Sequence, residues 1–445
     1  MIMLKEKKNL LIITDLFPPA GGAGVQYVIK LLKHLKNSNW RPIVLTVNNK
    51  NYWIIDESLE KQIDSSYIKV YRSFSLEIPR FDKIKADQNR GSLAGVNSPM
   101  TEIKEEITKY IIKFLNNYLL IPDKRAGWIP FAYIKGKEIS KVYKIDLIYS
   151  ISPPFSSTIV GTLLKKRFKC PWIMYFLDPW VDNPYNDVSG FKKFISLRLE
   201  NYMMENADRV IFCTNKYTDY MRNKYKQHKG KISYIPIGFD HEDFRIKNSQ
   251  YETNNEQFTI TYTGTFYGHR SPVHFFKALE FILNHYPNLK QYIKVIMAGA
   301  SREDLGPLIE KFNLKDIIEI KGFVSWEESI NLLSHSDLLL LIVGEKDEVF
   351  VPGKLYEYLG VRKPILGIGP DGEAKEIVER SKLGEFFRPD ETERIANYIV
   401  SMCNLKIHGK LEVFPDDLYI SQFYSQNCCQ KLISIFDDTV ENRYD

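Results

Sequence analysis

Cysteine is scarce in this chain: Cys170, Cys213, Cys403, Cys428 and Cys429 are the only five in 445 residues. The number is odd, two are adjacent and none has metal-ligand spacing, which excludes a disulfide framework and a zinc finger and implies reduced thiols in a cytosolic protein. Long apolar runs are missing as well. LLLLIV at 338–343 is too short to span a bilayer, and LLII behind MIMLKEKK is too short for a secretion signal. The expectation is therefore a cytoplasmic protein that is not integral to a membrane. Charge of one sign is modest: 61 Lys+Arg against 55 Asp+Glu gives +6, far from the basic stripe of a nucleic-acid binder but favourable to anionic ligands. No tandem repeat is present. No Asp-x-Asp follows an apolar strand.

What is present is alternation. NLLIITD, RPIVLTV, IKVYRS, DLIYSIS, PWIMYFLD and DRVIFCT are short apolar runs of the kind buried in parallel sheets, and helical patterns separate them. From about residue 257 a second series begins: QFTITYTG, IKVIMAG, IIEIKG, DLLLLIV and KPILGIG. Two such series in a chain of this length predict two doubly wound α/β domains with a ligand cleft between them. We read residues 1–235 as an N-terminal domain and 236–250 as the linker, carried by ISYIPIGFDHEDF. Residues 251–415 form the second domain, and 416–445 a helix that crosses back to the first. The polar stretch 83–103 reads as a surface loop.

Five stretches carry candidate chemistry. Gly21, Gly22 and Gly24 lie in FPPAGGAG, between the first strand and a helix, where backbone N–H groups and the helix dipole favour an anion. The spacing is not G-x-G-x-x-G and the second strand lacks a ribose-gripping acid, which excludes a nicotinamide site. A phosphate, an acceptor or plain close packing remain as readings. TYTGTFYGHRSP offers Gly264 and Gly268 for close backbone approach, Thr265 as a hydroxyl, and Arg270 as a fork for a diphosphate. KGFVSWEES has capping-box spacing between Ser325 and Glu328, which leaves Phe323 and Val324 as a shelf for a planar base. FVPGKLYEYLG sets Lys354 and Glu357 on one helical face behind Pro352, with Gly360 as the helix end. That pair is either a solvated salt bridge or a clamp, with the lysine on phosphate and the carboxylate on a ribose diol. The turn GIGPDGEAKEIV, with Gly372 and Glu376, follows the last strand of the series.

In this order the motifs resemble the retaining glycosyltransferases of the GT-B fold, family 4 (glycosyltransferase group 1), over nearly the whole chain. IPIGFDHEDF is similar to that family's interdomain segment, GFVSWEESINLLSHSDLLLL to its base-packing stretch, and KLYEYLGVRKPILG to its most specific signature. The resemblance implies two Rossmann-like parallel-sheet domains facing each other across a cleft. It also implies a metal-independent transfer, with retention, of a sugar from a UDP- or GDP-linked donor to a glycan or lipid-linked acceptor. Carried over by position, Arg270 stands for the phosphate-binding lysine, while Thr265 replaces the motif arginine. Glu357 takes the ribose position, Val349 replaces the first motif glutamate with Glu348 one residue early, and Glu376 matches the glutamate after the donor loop. Asp178 in FLDPW matches an acidic position on the acceptor side, and PPAGGAG the acceptor-side loop. The catalytic set this implies is Arg270, Lys354 and Asp178. The donor contacts are Gly264, Thr265, Phe323, Val324, Glu357, Gly372 and Glu376.

Two further readings stay open. A non-catalytic nucleotide-sugar-binding subunit would tolerate Val349 and Thr265, and another GT-B enzyme such as a sugar-nucleotide epimerase shares the architecture. Basic-aromatic stretches at 104–144 and in FKKFISLRL (191–199) suggest either a solvated helix face over core or peripheral contact with an anionic membrane.

Overall fold

The computed structural model describes residues 7–48, 52, 55–76, 118, 120–185, 190–244, 257–266, 269–299 and 304–441. The stretch 83–103, Gly268 and the lysines from Lys104 to Lys113 lie outside the described residues. The chain divides into two compact units. Unit 1 is 1–212, 222–233 and 433–445, and unit 2 is 213–221 with 234–432.

Unit 1 is built on seven parallel strands: β1 (Lys8–Ile13), β2 (Trp40–Val47), β3 (Lys69–Ser73), β4 (Leu147–Ser152), β5 (Trp172–Phe176), β6 (Arg209–Phe212) and β7 (Ile232–Tyr234), in the spatial order 3-2-1-4-5-6-7. The helices whose full extent lies among its described residues include α1 (Ala23–Leu35), α2 (Ile129–Val142), α3 (Ser156–Phe168) and α4 (Gly190–Asn206). The next helix, α5 (Asn215–Lys224), runs across a unit boundary. Residues 232–234, which open ISYIPIGFDHEDF and do not read as a strand in the sequence, pair at the sheet edge as β7; three residues are too few to show a period.

Unit 2 has six parallel strands: β8 (Phe258–Thr263), β9 (Ile293–Ala298), β10 (Ile318–Gly322), β11 (Leu338–Ile342), β12 (Ile365–Ile368) and β13 (Gly384–Phe387), in the order 10-9-8-11-12-13. Its helices are α6 (Val273–His285), α7 (Gly306–Lys311), α8 (Trp326–Ser334), α9 (Gly353–Val361), α10 (Glu373–Arg380), α11 (Thr392–Ile407) and α12 (Asp417–Ser421). The last helix, α13 (Ser425–Glu441), is divided between the units at residue 432.

The LLLLI of β11 shows why these runs are continuous rather than alternating. Leu338, Leu340 and Ile342 join one core with Phe275, Leu279, Ile395 and Ile399, whereas Leu339 and Leu341 join another with Leu355, Leu359, Ile377 and Val378. Both faces of the strand are covered by helices, so every position is apolar. In each sheet the order reverses beside the first strand, at β1/β4 and β8/β11. Ligands of open α/β sheets bind at the carboxyl ends of such switch points.

Gly360 does not end α9. It lies inside the helix, where a Cβ would come within 2.5 Å of the Phe244 ring, so its lack of a side chain permits packing. The left-handed cap is taken by Arg362 at φ 60°, anchored by Asp417 and by the Tyr424 hydroxyl at 2.9 Å. In unit 1 the late part of α13 packs on a fully buried Trp40, which meets Phe436 edge-on at 5.8 Å and donates its Nε1–H to Asp437 at 3.1 Å.

Candidate functional site

The site in unit 2 forms where β8 and β11 end. Gly264 follows β8 at φ +132°, a conformation that favours glycine. A Cβ there would stand 2.4 Å from Lys354 Nζ. Lys354 reaches this spot from the first turn of α9, and its ammonium rests 3.7 Å from the centroid of the Tyr262 ring. Tyr262 is itself stacked on Phe266 at 4.3 Å. Among the described residues no ion pair joins Lys354 to Glu357, so the solvated salt bridge is not what this turn builds. Burial, then the Arg270 guanidinium, pushes the Lys354 pKa well below the ordinary lysine value, against a smaller opposing pull from Glu357.

Arg270 sits just before α6 and donates Nε–H to Asp347 Oδ2 at 2.9 Å. Their side chains are 13% and 0% exposed. Asp347 Oδ2 also accepts the Gly344 N–H at 3.3 Å, while Oδ1 is buried without a hydrogen-bond partner. Glu357 accepts the Trp326 Nε1–H at 3.1 Å. Ser325 caps α8 by accepting the Glu328 N–H at 3.2 Å, as its spacing predicts. Phe323 is 56% exposed, whereas Val324 is half-buried against Ile296, Ala298 and Leu332. Thr265 is half-buried beside Gly264, and its carbonyl accepts the Tyr262 hydroxyl at 3.4 Å.

Gly372 caps α10, and a Cβ on it would come within 2.6 Å of the Glu348 carbonyl oxygen, so loop 344–351 lies directly on that turn. Next to it, Glu373 N–H donates to the same carbonyl at 3.2 Å. The Glu376 carboxylate is 55% exposed and paired with Lys216 at 2.7 Å. The buried acid of the turn is Glu373, 4% exposed, which accepts the N–H groups of Asn215 and Lys216 at 2.8 and 2.7 Å. It thereby caps α5, and burial pushes its pKa up against those two bonds. Glu348 is exposed and Val349 half-buried.

Gly21, Gly22, Gly24 and Asp178 belong to unit 1. Gly22 is the exposed N-cap of α1 at φ +109° with open space above it. Gly21 is half-buried, and Gly24 is pressed between Leu16 and Leu177, 2.8 and 3.3 Å from an added Cβ. Asp178 is half-buried two residues beyond β5, and nearby Phe155 and Trp180 stack at 4.9 Å. The same end of the sheet holds a buried ion pair, Asp15 with Arg125 at 2.5 Å, which the motifs did not reveal. Arg270, Lys354, Glu357, Gly264 and Thr265 are thus brought to one strand-end region of unit 2, together with Trp326 and Asp347. Asp347 lies in GEKDE among other acids, and only burial distinguishes it. Among the described residues no group of three or more His, Cys, Asp or Glu side chains could hold a metal ion.

Two family models match the chain in succession, Glycosyltransferase Family 4 over residues 98–243 and Glycosyl transferases group 1 over residues 243–411. No curated protein sequence matches it. Solved structures with the same fold include Anabaena Alr3699/HepE in complex with UDP, at TM-score 0.61 and 14% identity over 97% of this chain and 100% of that one. A glycosyltransferase from Rickettsia africae aligns at TM-score 0.62 and 18% identity over 98% and 99%. The sucrose-phosphate synthase of Thermosynechococcus elongatus aligns at 0.61 and 14% over 97% and 99%. With two Rossmann-like parallel sheets and two glycosyltransferase models meeting at residue 243, the chain belongs to the GT-B glycosyltransferases.

Proposed function

We propose that the chain moves a hexosyl or related unit from a nucleoside-diphosphate sugar, UDP- or GDP-linked, to a glycan or lipid-linked acceptor in bacterial surface polysaccharide or glycolipid assembly. The observation that carries this reading is that Lys354 stands at the end of β8 while Arg270 is held by Asp347 in the loop after the adjacent β11, with Glu357 one turn beyond the lysine. Two cations at a sheet's carboxyl end suit a diphosphate, and a carboxylate on the same helix suits a ribose diol. Alr3699/HepE, which shares the fold, has been solved with UDP and with UDP-glucose.

In the reaction the bond between the anomeric carbon and the diphosphate oxygen breaks. The acceptor oxygen bonds to that carbon on the same face, and the acceptor proton passes to the departing phosphate oxygen. Lys354 and Arg270 stabilise the charge that develops on the leaving group and do so without a metal. Asp178 and the Gly21–Gly24 turn serve the acceptor. Thr265, Phe323, Val324, Gly372 and Glu376 complete the donor contacts.

A thermal-shift panel of UDP, GDP, ADP, CMP and dTDP, each with and without EDTA, tests the reading on wild type and Glu357→Ala. One nucleotide should raise the melting temperature regardless of EDTA, since a ligand at a hundred times its Kd adds about 2.7 kcal/mol of stability. The variant should lose that shift. No shift with any nucleotide would favour a non-catalytic subunit that stabilises a partner enzyme.

Contact with an anionic membrane would bring such an enzyme to a lipid-linked acceptor, and α4 supports it. Its first turns expose Phe191 and Phe194, about half accessible, with Lys193 and Arg198 beside them and Tyr118 stacked on Phe191 at 5.8 Å. No acid precedes Glu200 on this helix. Among the described residues no helix is long and apolar enough to cross a membrane. Lys193→Glu combined with Arg198→Glu should release the protein from phosphatidylserine-containing vesicles at low salt. Unchanged binding would end the idea.

A further inference from the structure

The loop between β11 and α9 carries three acids, Glu345, Asp347 and Glu348. Two of them are exposed, and Asp347 is 1% exposed. Its carboxylate faces Arg270, the guanidinium assigned above to the diphosphate. A buried carboxylate against a buried guanidinium cancels most of its field, because little water is present to screen either charge. Lys354 stands differently. Among the described residues it has no carboxylate within ion-pair distance, and its ammonium rests on the face of the Tyr262 ring beside Gly264. The two cations at this sheet end are therefore unequal, one compensated and one not.

That inequality bears on turnover. A transferase must hold its donor and then let go of a nucleoside diphosphate that carries more negative charge than the donor did. Two uncompensated cations at a buried site would bind the product more tightly than the substrate. We propose that Asp347 sets the charge of the diphosphate site by cancelling that of Arg270, so that the product diphosphate is released. The inference rests on the donor reading given above and assigns Asp347 a positioning and charge-balancing role exerted through Arg270.

The test measures the affinity of UDP, or of whichever nucleoside diphosphate the panel selects, by calorimetry across a series of salt concentrations. Asp347→Asn keeps the shape and an acceptor oxygen but removes the charge. It should bind the nucleotide about tenfold more tightly at low salt, with a steeper salt dependence than wild type, because one further cation is uncompensated. Under turnover it should be inhibited by its own product at lower concentration. The double variant Arg270→Gln/Asp347→Asn has the net charge of wild type and should return the salt dependence to the wild-type slope, a readout that a purely structural role for Asp347 would not move. Should Asp347→Asn fail to fold, Asp347→Ala removes the same charge with a smaller side chain and should show the same steeper slope. Equal slopes for wild type and the single variants, with nucleotide bound by wild type, would overturn the charge-balancing role and leave the donor site standing. No nucleotide bound by wild type would overturn the donor site, and this inference with it.

Discussion

Arg270→Ala should cost about 3–5 kcal/mol of folding stability, more than any other single truncation at the site, because it strands a charge. Asp347 is fully buried, and without the guanidinium its carboxylate keeps only the long Gly344 N–H contact at 3.3 Å. Oδ1 already lacks a partner. A buried ion pair contributes little net stability when compared with two apolar residues, but removing one partner leaves the full desolvation cost of the other uncompensated. The double variant Arg270→Ala/Asp347→Ala should therefore be more stable than Arg270→Ala alone, even though it has lost more atoms. Urea denaturation of wild type, both single variants and the double variant checks this. Stability losses that simply add would mean that the two groups do not interact across their 2.9 Å contact.

The pair also shows what could and could not be read from the sequence. The strands of both sheets were legible because helices on both faces force continuous apolar runs, and LLLLI is the plainest case. The strands that escaped notice, β7 and β13, are short and lie at sheet edges, where burial on both faces is not required. GEFF at 384–387 has two half-exposed or exposed residues in four. Glycines marked the end of β8 at Gly264 and the start of α10 at Gly372, and both sit where a side chain would collide with another part of the chain. Lys354, Glu357 and Arg270 were nominated by spacing and by likeness to a motif, and the fold gathers them. Their supporting partners were not nominated. Trp326 reads as an ordinary helix-start residue, and Glu373 meets its partners 158 and 157 residues away. Likeness to the family motif nominated Glu376 and not Glu373, and only the tertiary fold shows which one is buried.

Lys354→Met should move stability and function in opposite directions. The ammonium is held on an aromatic face with no carboxylate within ion-pair distance among the described residues, and burial together with Arg270 depresses its pKa. In the ligand-free protein this lysine therefore opposes folding, and methionine fills the same space with a thioether that also suits the Tyr262 ring. The variant should melt higher without ligand, by a stability gain of about 1 kcal/mol net of the lost cation–π contact. The sign with pH follows from linkage. The unfolded chain holds the Lys354 proton up to about pH 10.4, while the folded protein releases it at lower pH, so wild-type stability rises with pH through that window. The advantage of Lys354→Met should be largest below the depressed pKa and vanish above about 10.4. Nucleotide binding should respond in the other direction. A diphosphate supplies the missing counter-charge, and removing a charged hydrogen-bond donor from such a contact costs about 1.5–3 kcal/mol, up to roughly a hundredfold in Kd. Wild-type affinity should fall as pH rises through the lysine's titration, and the variant should be weak and flat over the same range. A variant that is more stable yet binds the nucleotide as well as wild type would leave Lys354 as a strained core residue and transfer the diphosphate to other groups.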